Sequence, residues 1–316
     1  MHLLIAHAST LSPACAETLS HLELPHLAAL LARLAPAARD DGDEHDWTLP
    51  HDRALAAALG WRDERGALPW AARLAAQDGI DPGDAAWGLV TPVHWHLARD
   101  HVSLVDPALL ALGPDESRAL LETAQGLFQD DGWRLVPGAA PLRWYASHAS
   151  LRALACASID RAVGRNVDLW LGDARDDARW RAIRRLQNEV QMLLYDHPVN
   201  EAREARGALP VNSFWLSGCG VRQPERAVPG LVVDESLRGP ALADDWTAWA
   251  DAWRALDAGP VKALLDAARR GGPAALTLCG ERSAQRFEAA APSPWWRRLT
   301  QGLTPAAAVA PVLEAL

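Results

Sequence analysis

The sequence predicts an α/β protein, and three observations carry the prediction. Short apolar runs of strand type alternate with amphipathic helical stretches, prolines open the helical stretches, and glycines close both kinds of element. Residues 193–220, LLYDHPVNEAREARGALPVNSFWLSGCG, compress the pattern into one unit: a helix exit, a polar turn, a second short helix and an apolar run ending on paired glycines. With 316 residues, 49% of them hydrophobic, the chain can bury a sizeable core as one large domain or two smaller ones.

Taken in order, Leu3 to Ala6 reads as a buried strand, and Pro25 opens a helix with Leu27, Leu30, Leu31 and Leu34 on one face. The acidic run DDGDEHD at 40–46 lacks the spacing of a calcium loop and reads as solvated. His51 to Leu59 and Pro69 to Ala76 read as short helices, and Trp87 to Leu97 as a strand. Pro114, Asp115 and Glu116 start a helix reaching Phe128, followed by strands at Trp133 to Val136 and Leu142 to Tyr145. Trp180, Ile183, Gln187, Val190 and Leu194 make Arg179 to Tyr195 an amphipathic helix with Arg181, Arg184 and Arg185 outward. Pro198 stops it. Residues 199–206 then form one or two helical turns capped by Gly207, and Ser213 to Leu216 is a buried strand whose exit Gly218 and Gly220 shape. Helices at 244–256 and 260–269, a strand at Ala274 to Leu278 and a helix after Pro305 complete the alternation. Trp246, Trp249 and Trp253 fall on one helical face and read as a core stripe.

The net charge of −9 argues against nucleic acid and anionic membrane surfaces as partners. Lys262 is the only lysine, so the basic chemistry is arginine chemistry. Cys15, Cys156, Cys219 and Cys279 are far apart in sequence with no C-x-x-C pair, and are expected to be reduced thiols in a cytoplasmic protein. The opening MHLLIAHAST has no basic leader, and no apolar stretch approaches the roughly 18 residues of a membrane span.

The 193–220 segment resembles the archaeal-type cofactor-independent phosphoglycerate mutases of the alkaline phosphatase superfamily, in which a leucine-rich helix runs into His-Pro-Val-Asn, then Pro-Ala-Asn and a strand ending in Gly-x-Gly. The likeness extends to LPHDRALAAALGW at 49–61, GALPWAARLAAQDGIDPGDAAWGLVTP at 66–92, the stretch 103–145 and CASIDRAVGRNV at 156–167. A bacterial set of RpfE-type, phosphoglycerate-mutase-like regulatory proteins is similar as well. The resemblance implies a shortened alkaline-phosphatase-like core, residues 1–84 and 170–316, with an inserted α/β subdomain at 85–169.

In that family two divalent metals activate a serine that carries the phosphoryl group, which requires carboxylate and imidazole ligands at fixed places. Matched to those places, this chain departs from the pattern. Ala6-His7-Ala8 stands for Asp-Gly, Leu49-Pro50-His51-Asp52 for Pro-Gly-Ser-Asp, Ala86-Trp87-Gly88 for Ala-Phe-Arg, and Cys279-Gly280-Glu281 for the strand ending in Asp-His. The former nucleophile position is therefore His51, with Asp52 retained. The site reads as degenerate, with no cofactor expected. A rebuilt site in which His7, His51 and Glu281 hold manganese or zinc is the alternative. His94, His96, His101 and Asp100 form a second cluster, weak by spacing alone. Arg143 and Arg165 match the substrate side, where a small phosphorylated or carboxylate metabolite is expected, Arg suiting such anions through paired hydrogen bonds; Asn200, Arg203 and Asn212, in the best-matching segment, are further ligand candidates, although asparagines flanking turns more often cap backbone groups. Three function classes stay open: a non-catalytic regulatory or metabolite-binding protein, an active phosphoglycerate mutase or phosphohydrolase with a relocated site, and a pure protein-interaction module. The substituted nucleophile and the shortened C-terminal region favour the two non-enzyme readings over the second.

Overall fold

The computed structural model describes residues 1–62, 66–289 and 308–316. In chain order its elements begin with β1 (His2–Ile5), α1 (Pro13–Ser20), α2 (Pro25–Leu31), β2 (Leu34–Asp40), α3 (Pro50–Leu59) and α4 (Trp70–Gln77). Next come β3 (Ala86–Val93), β4 (Trp95–Leu97), β5 (Val102–Leu104), α5 (Pro114–Asp130), β6 (Arg134–Pro137), β7 (Trp144–Ser147) and α6 (Ile159–Ala162). They continue with α7 (Ala178–Tyr195), α8 (Pro198–Ala205), β8 (Ser213–Val221), β9 (Leu231–Asp234), α9 (Arg238–Leu242), α10 (Trp246–Leu256), α11 (Lys262–Arg269), β10 (Ala275–Cys279), β11 (Ala284–Ala289) and α12 (Val309–Glu314). The fold class is α/β, as the sequence predicts. No helix among the described residues is long and apolar enough to cross a membrane.

The chain divides into two compact units, Met1–Gly60 with Glu225–Leu316, and Trp61–Pro224. The second unit takes in more of the chain than residues 85–169. Its extra breadth follows from pairing: β8 lies antiparallel along β3, and α4 would fill the space beside β8, with Trp70 and Ala71 about 3 Å from where a side chain on Gly218 would sit. Strand pairing over more than 100 residues of sequence leaves no local mark.

In the first unit the described strands form a mixed sheet in the order β2-β11-β10-β1-β9. β1 is internal, with parallel partners β10 and β9 on its two sides, and β11 and β2 add antiparallel strands at one edge. Alternation along β1 sends Leu3 and Ile5 into a core with Leu27, Leu30, Trp249, Trp253, Leu264 and Leu265, while Leu4 faces Cys279, Ala54 and Leu55 of α3. Both faces of β1 are therefore covered, which accounts for its unbroken apolar run. The tryptophan stripe is a core face: Trp249 and Trp253 are fully buried, Trp246 partly. Pro25 opens α2 without a side-chain cap on its own strand of sequence. Instead the buried Asp257 carboxylate accepts from the Leu27 amide (2.7 Å), the His26 amide (3.2 Å) and His26 Nδ1 (2.9 Å), supplying negative charge at the helix start.

Two details of the first unit differ from the sequence expectation. α2 ends at Leu31, and Leu34 begins β2, an edge strand whose Pro36 and mostly exposed residues hide its period. Helices α10 and α11 are joined through a wider π-type turn at Asp257–Val261 that accommodates Pro260. The helix expected after Pro305 is described from Val309; Pro305 lies outside the described residues.

In the second unit the described strands β6-β7-β3-β8 form an antiparallel sheet, and β4 pairs with β5 as a separate ribbon. The predicted single strand from Trp87 to Leu97 is thus broken at His94. β8 runs to Val221, beyond the expected Leu216, and carries its two glycines inside the strand. There the pairing with β3 slips between Trp87 and Leu89, and both glycines have positive φ, 61° at Gly218 and 148° at Gly220.

Candidate functional site

In the first unit, the carboxyl ends of the parallel strands β9, β1 and β10 meet at one place, where α/β sheets commonly bind ligands. After β1 the backbone is stitched to both neighbours: Ala6 N donates to Asp234 O (3.0 Å) and Ala8 N to Cys279 O (2.8 Å). Between them His7 adopts φ 54°, an unfavourable conformation for a residue with a Cβ. The buried tryptophans hold it there, since Trp249 Nε1 donates to His7 O (3.1 Å) and Trp253 Nε1 to Ala8 O (3.3 Å). The tryptophan periodicity is visible in sequence, but nothing in it announces this indole clamp on the His7 turn.

His51 is the second residue of α3, after Pro50. Its ring lies 5.0 Å from that of His7, tilted by 45°. The resemblance therefore matched two residues that the fold does bring together. Asp52 faces Leu49 N, which donates to its carboxylate at 3.4 Å, and lies 3.9 Å from His51 Nε2. Arg53 anchors this end of α3 by donating to Asp40 (2.7 Å), Thr48 O (2.7 Å) and Arg282 O (3.1 Å). The acidic stretch after β2 thus supplies an ion pair to the helix. Glu281 accepts from the Leu11 amide at 2.9 Å, capping the loop after β1. Cys279, at the end of β10, is fully buried; burial, with Asp40 adding to it, pushes its thiol far up, against any nucleophilic role.

In the second unit the substrate-side candidates bind the protein itself. Asn200 donates to Leu194 O and Val211 O and accepts from Val211 N, all within 2.9 Å. Asn212 accepts from Trp95 N (2.7 Å) and donates to Trp95 O (2.9 Å), continuing the sheet where β3 gives way to β4. Arg203 is fully buried and donates to Leu209 O (2.8 Å), Glu116 (2.8 Å) and Leu110 O (2.5 Å). Arg143 pairs with Asp78 at 2.9 Å, and the same carboxylate accepts from Tyr145 OH (2.8 Å) and the Ala139 amide (2.9 Å). Asp78 was not legible as an organiser, because in AAQDGI it reads as an ordinary helix exit. Arg165 is half-buried, its guanidinium 5.8 Å over the Trp170 ring. His94 is tied through Nδ1 to Pro210 O (2.8 Å), with the His96 ring 6.5 Å away, and His101 bonds Asp100 at 2.8 Å. Outward arginines of α7 pair at the surface, Arg184 with Asp168 and Arg185 with Asp131.

No protein-family model matches the sequence, and no curated protein sequence matches it. Among solved structures, the chain is similar to a cofactor-independent phosphoglycerate mutase from Thermoplasma acidophilum DSM 1728, at 14% identity, a TM-score of 0.36, and coverage of 91% of this chain and 89% of that one. It is also similar to the PH0037 protein from Pyrococcus horikoshii, at 11% identity, a TM-score of 0.42, and coverage of 91% and 87%. Likeness at this level brings no residue role or activity with it.

Proposed function

We propose that this is a phosphoglycerate-mutase-like protein that does not transfer phosphoryl groups and acts instead as a regulatory, metabolite-binding protein. The observation that supports the reading is His51 at the start of α3, packed 5.0 Å from His7 in the position that the sequence resemblance gives to a serine nucleophile. An imidazole there has no hydroxyl for two metals to activate, which is how the resemblance has the serine act. The two divalent metals implied by the resemblance also fit poorly. In this reading His7 and His51 offer imidazole nitrogens where hard cations favour oxygens, and Asp52 and Glu281 each accept from a backbone amide, of Leu49 and Leu11. A second reading, one manganese or zinc ion held by His7 and His51, is favoured by the same ring contact, and metal analysis of the purified protein decides it.

The ligand in this reading is a small phosphorylated or carboxylate metabolite, and Arg165, half-buried with its guanidinium 5.8 Å from the Trp170 ring, is the contact residue put to the test. A phosphorylated three-carbon acid is expected to raise the melting temperature, because ligand binding to the native state alone contributes about 2.7 kcal/mol at a hundredfold excess over Kd. Arg165→Ala is expected to shrink the shift. An absent shift, or one unchanged in the variant, favours a protein-interaction module instead.

A further inference from the structure

Two of the four buried, free cysteines of the described chain lie against each other in the second unit. Cys156 Sγ is 3.4 Å from Cys219 Sγ, although 63 positions separate them in sequence, and the Cys156 thiol donates to the Cys219 sulfur. The Cys219 thiol in turn points to Ser217 O at 3.9 Å, which leaves its lone pairs turned to Cys156. Cys219 sits in β8 between Gly218 and Gly220, both at positive φ, at the slip in pairing with β3. Opposite it is Gly88, where a Cβ would come within 3.1 Å of the Cys219 sulfur. Room for the sulfur therefore depends on a missing side chain, and freedom of the backbone on two flanking glycines. On the other side, Trp215 Nε1 donates to Ala157 O at 3.0 Å, holding the residue after Cys156 to the same strand.

We infer that Cys156 and Cys219 form a reversible disulfide under peroxide, a redox-responsive link between β8 and the segment leading into α6. Closing the sulfurs from 3.4 Å to a bond of about 2.05 Å asks for a shift of roughly 1.4 Å, within reach of a glycine-flanked bulge. Burial pushes the Cys156 thiol well up, with the Cys219 contact adding to it and the Arg179 charge opposing. A raised thiol keeps the thiolate rare, so the reaction is slow; what sets this pair apart from the other buried thiols is the 3.4 Å sulfur contact, which traps the first oxidation product made by a small oxidant, hydrogen peroxide. One sulfur, as thiolate, attacks a peroxide oxygen; the O–O bond breaks, and a sulfenic acid and water result after proton uptake. The second thiol attacks the sulfenic sulfur, the S–O bond breaks, and a second water leaves with its proton. In sum, two thiols and one hydrogen peroxide give one disulfide and two waters, the sulfurs losing the two electrons that the peroxide gains.

The test treats the reduced full chain with hydrogen peroxide, quenches it, alkylates the remaining thiols in denaturant and maps the peptides by mass. The expected result is a Cys156–Cys219 linked peptide, Cys15 and Cys279 still alkylated, and complete reversal by a thiol reductant. Cys156→Ser and Cys219→Ser are each expected to abolish the link. Alkylation of all four cysteines, oxidation of either residue only to sulfinic or sulfonic acid, or a link that includes Cys15 or Cys279 overturns the inference. The wild-type peptide map decides the question even if a serine variant fails to fold.

Discussion

Arg203→Ala is expected to destabilise the protein by about 3–5 kcal/mol, the cost of leaving a buried ionic network half-satisfied. Arg203 is fully buried between α8 and α5, and its removal strands the carbonyls of Leu110 and Leu209 and takes one of the two donors from Glu116 Oε2. Glu116 keeps Arg206 and the Gly113 amide, so the loss falls mainly on the buried carbonyls. Burial raises the Glu116 carboxyl, yet the Gly113 amide and the two arginines outweigh it and hold it below its ordinary range. Its folded affinity for a proton is lower than its unfolded one, so its contribution is present above the ordinary carboxylate range and fades as the pH falls through the depressed value. Chemical denaturation of wild type and Arg203→Ala checks the prediction. A variant of unchanged stability that has lost anion binding instead assigns Arg203 to the ligand and contradicts its structural role.

Gly220→Val is expected to cost on the order of 1–3 kcal/mol, whether or not any ligand binds. At φ 148° an L-residue is strained, and a Cβ there comes within 3.1 Å of the Pro69 Cβ just before α4. Valine is the harshest choice, because its branched Cβ adds methyls where Pro69 already crowds. Gly218 is confined similarly, its added Cβ meeting Ala71 N and Trp70 Cβ at 3.0 Å. Thermal melts of the valine variant test this. A normal melting temperature contradicts the view that the paired glycines exist to bring β8 close to the start of α4.

Of the second-half helices, α7 was legible through its apolar spacing of three and four, and α8 through its proline start. β2, β9 and β11 were not, since each is short, partly exposed and stabilised by partners far along the chain. The meeting of His7 with His51 was foreseen only through the family resemblance; no spacing in the sequence links residues on a strand exit and a distant helix start. The arginine and asparagine candidates show the opposite failure. Their side chains suit backbone carbonyls as well as anions, and in Asn200, Asn212 and Arg203 the backbone took them. Residue type alone does not separate the two uses. The two cysteines were read as unrelated thiols because their contact arises only when β8 pairs with β3 and the segment after β7 folds back across it.

The most direct measurement is interconversion of 2- and 3-phosphoglycerate by the purified protein with added manganese or magnesium, for wild type and His51→Ser. The expected result is no turnover above background in either, since His51 starts α3 against the ring of His7, which follows β1, and a hydroxyl restored at position 51 meets an imidazole there where two-metal chemistry calls for oxygen ligands. Robust turnover by the wild type, abolished by a chelator, contradicts the non-catalytic reading.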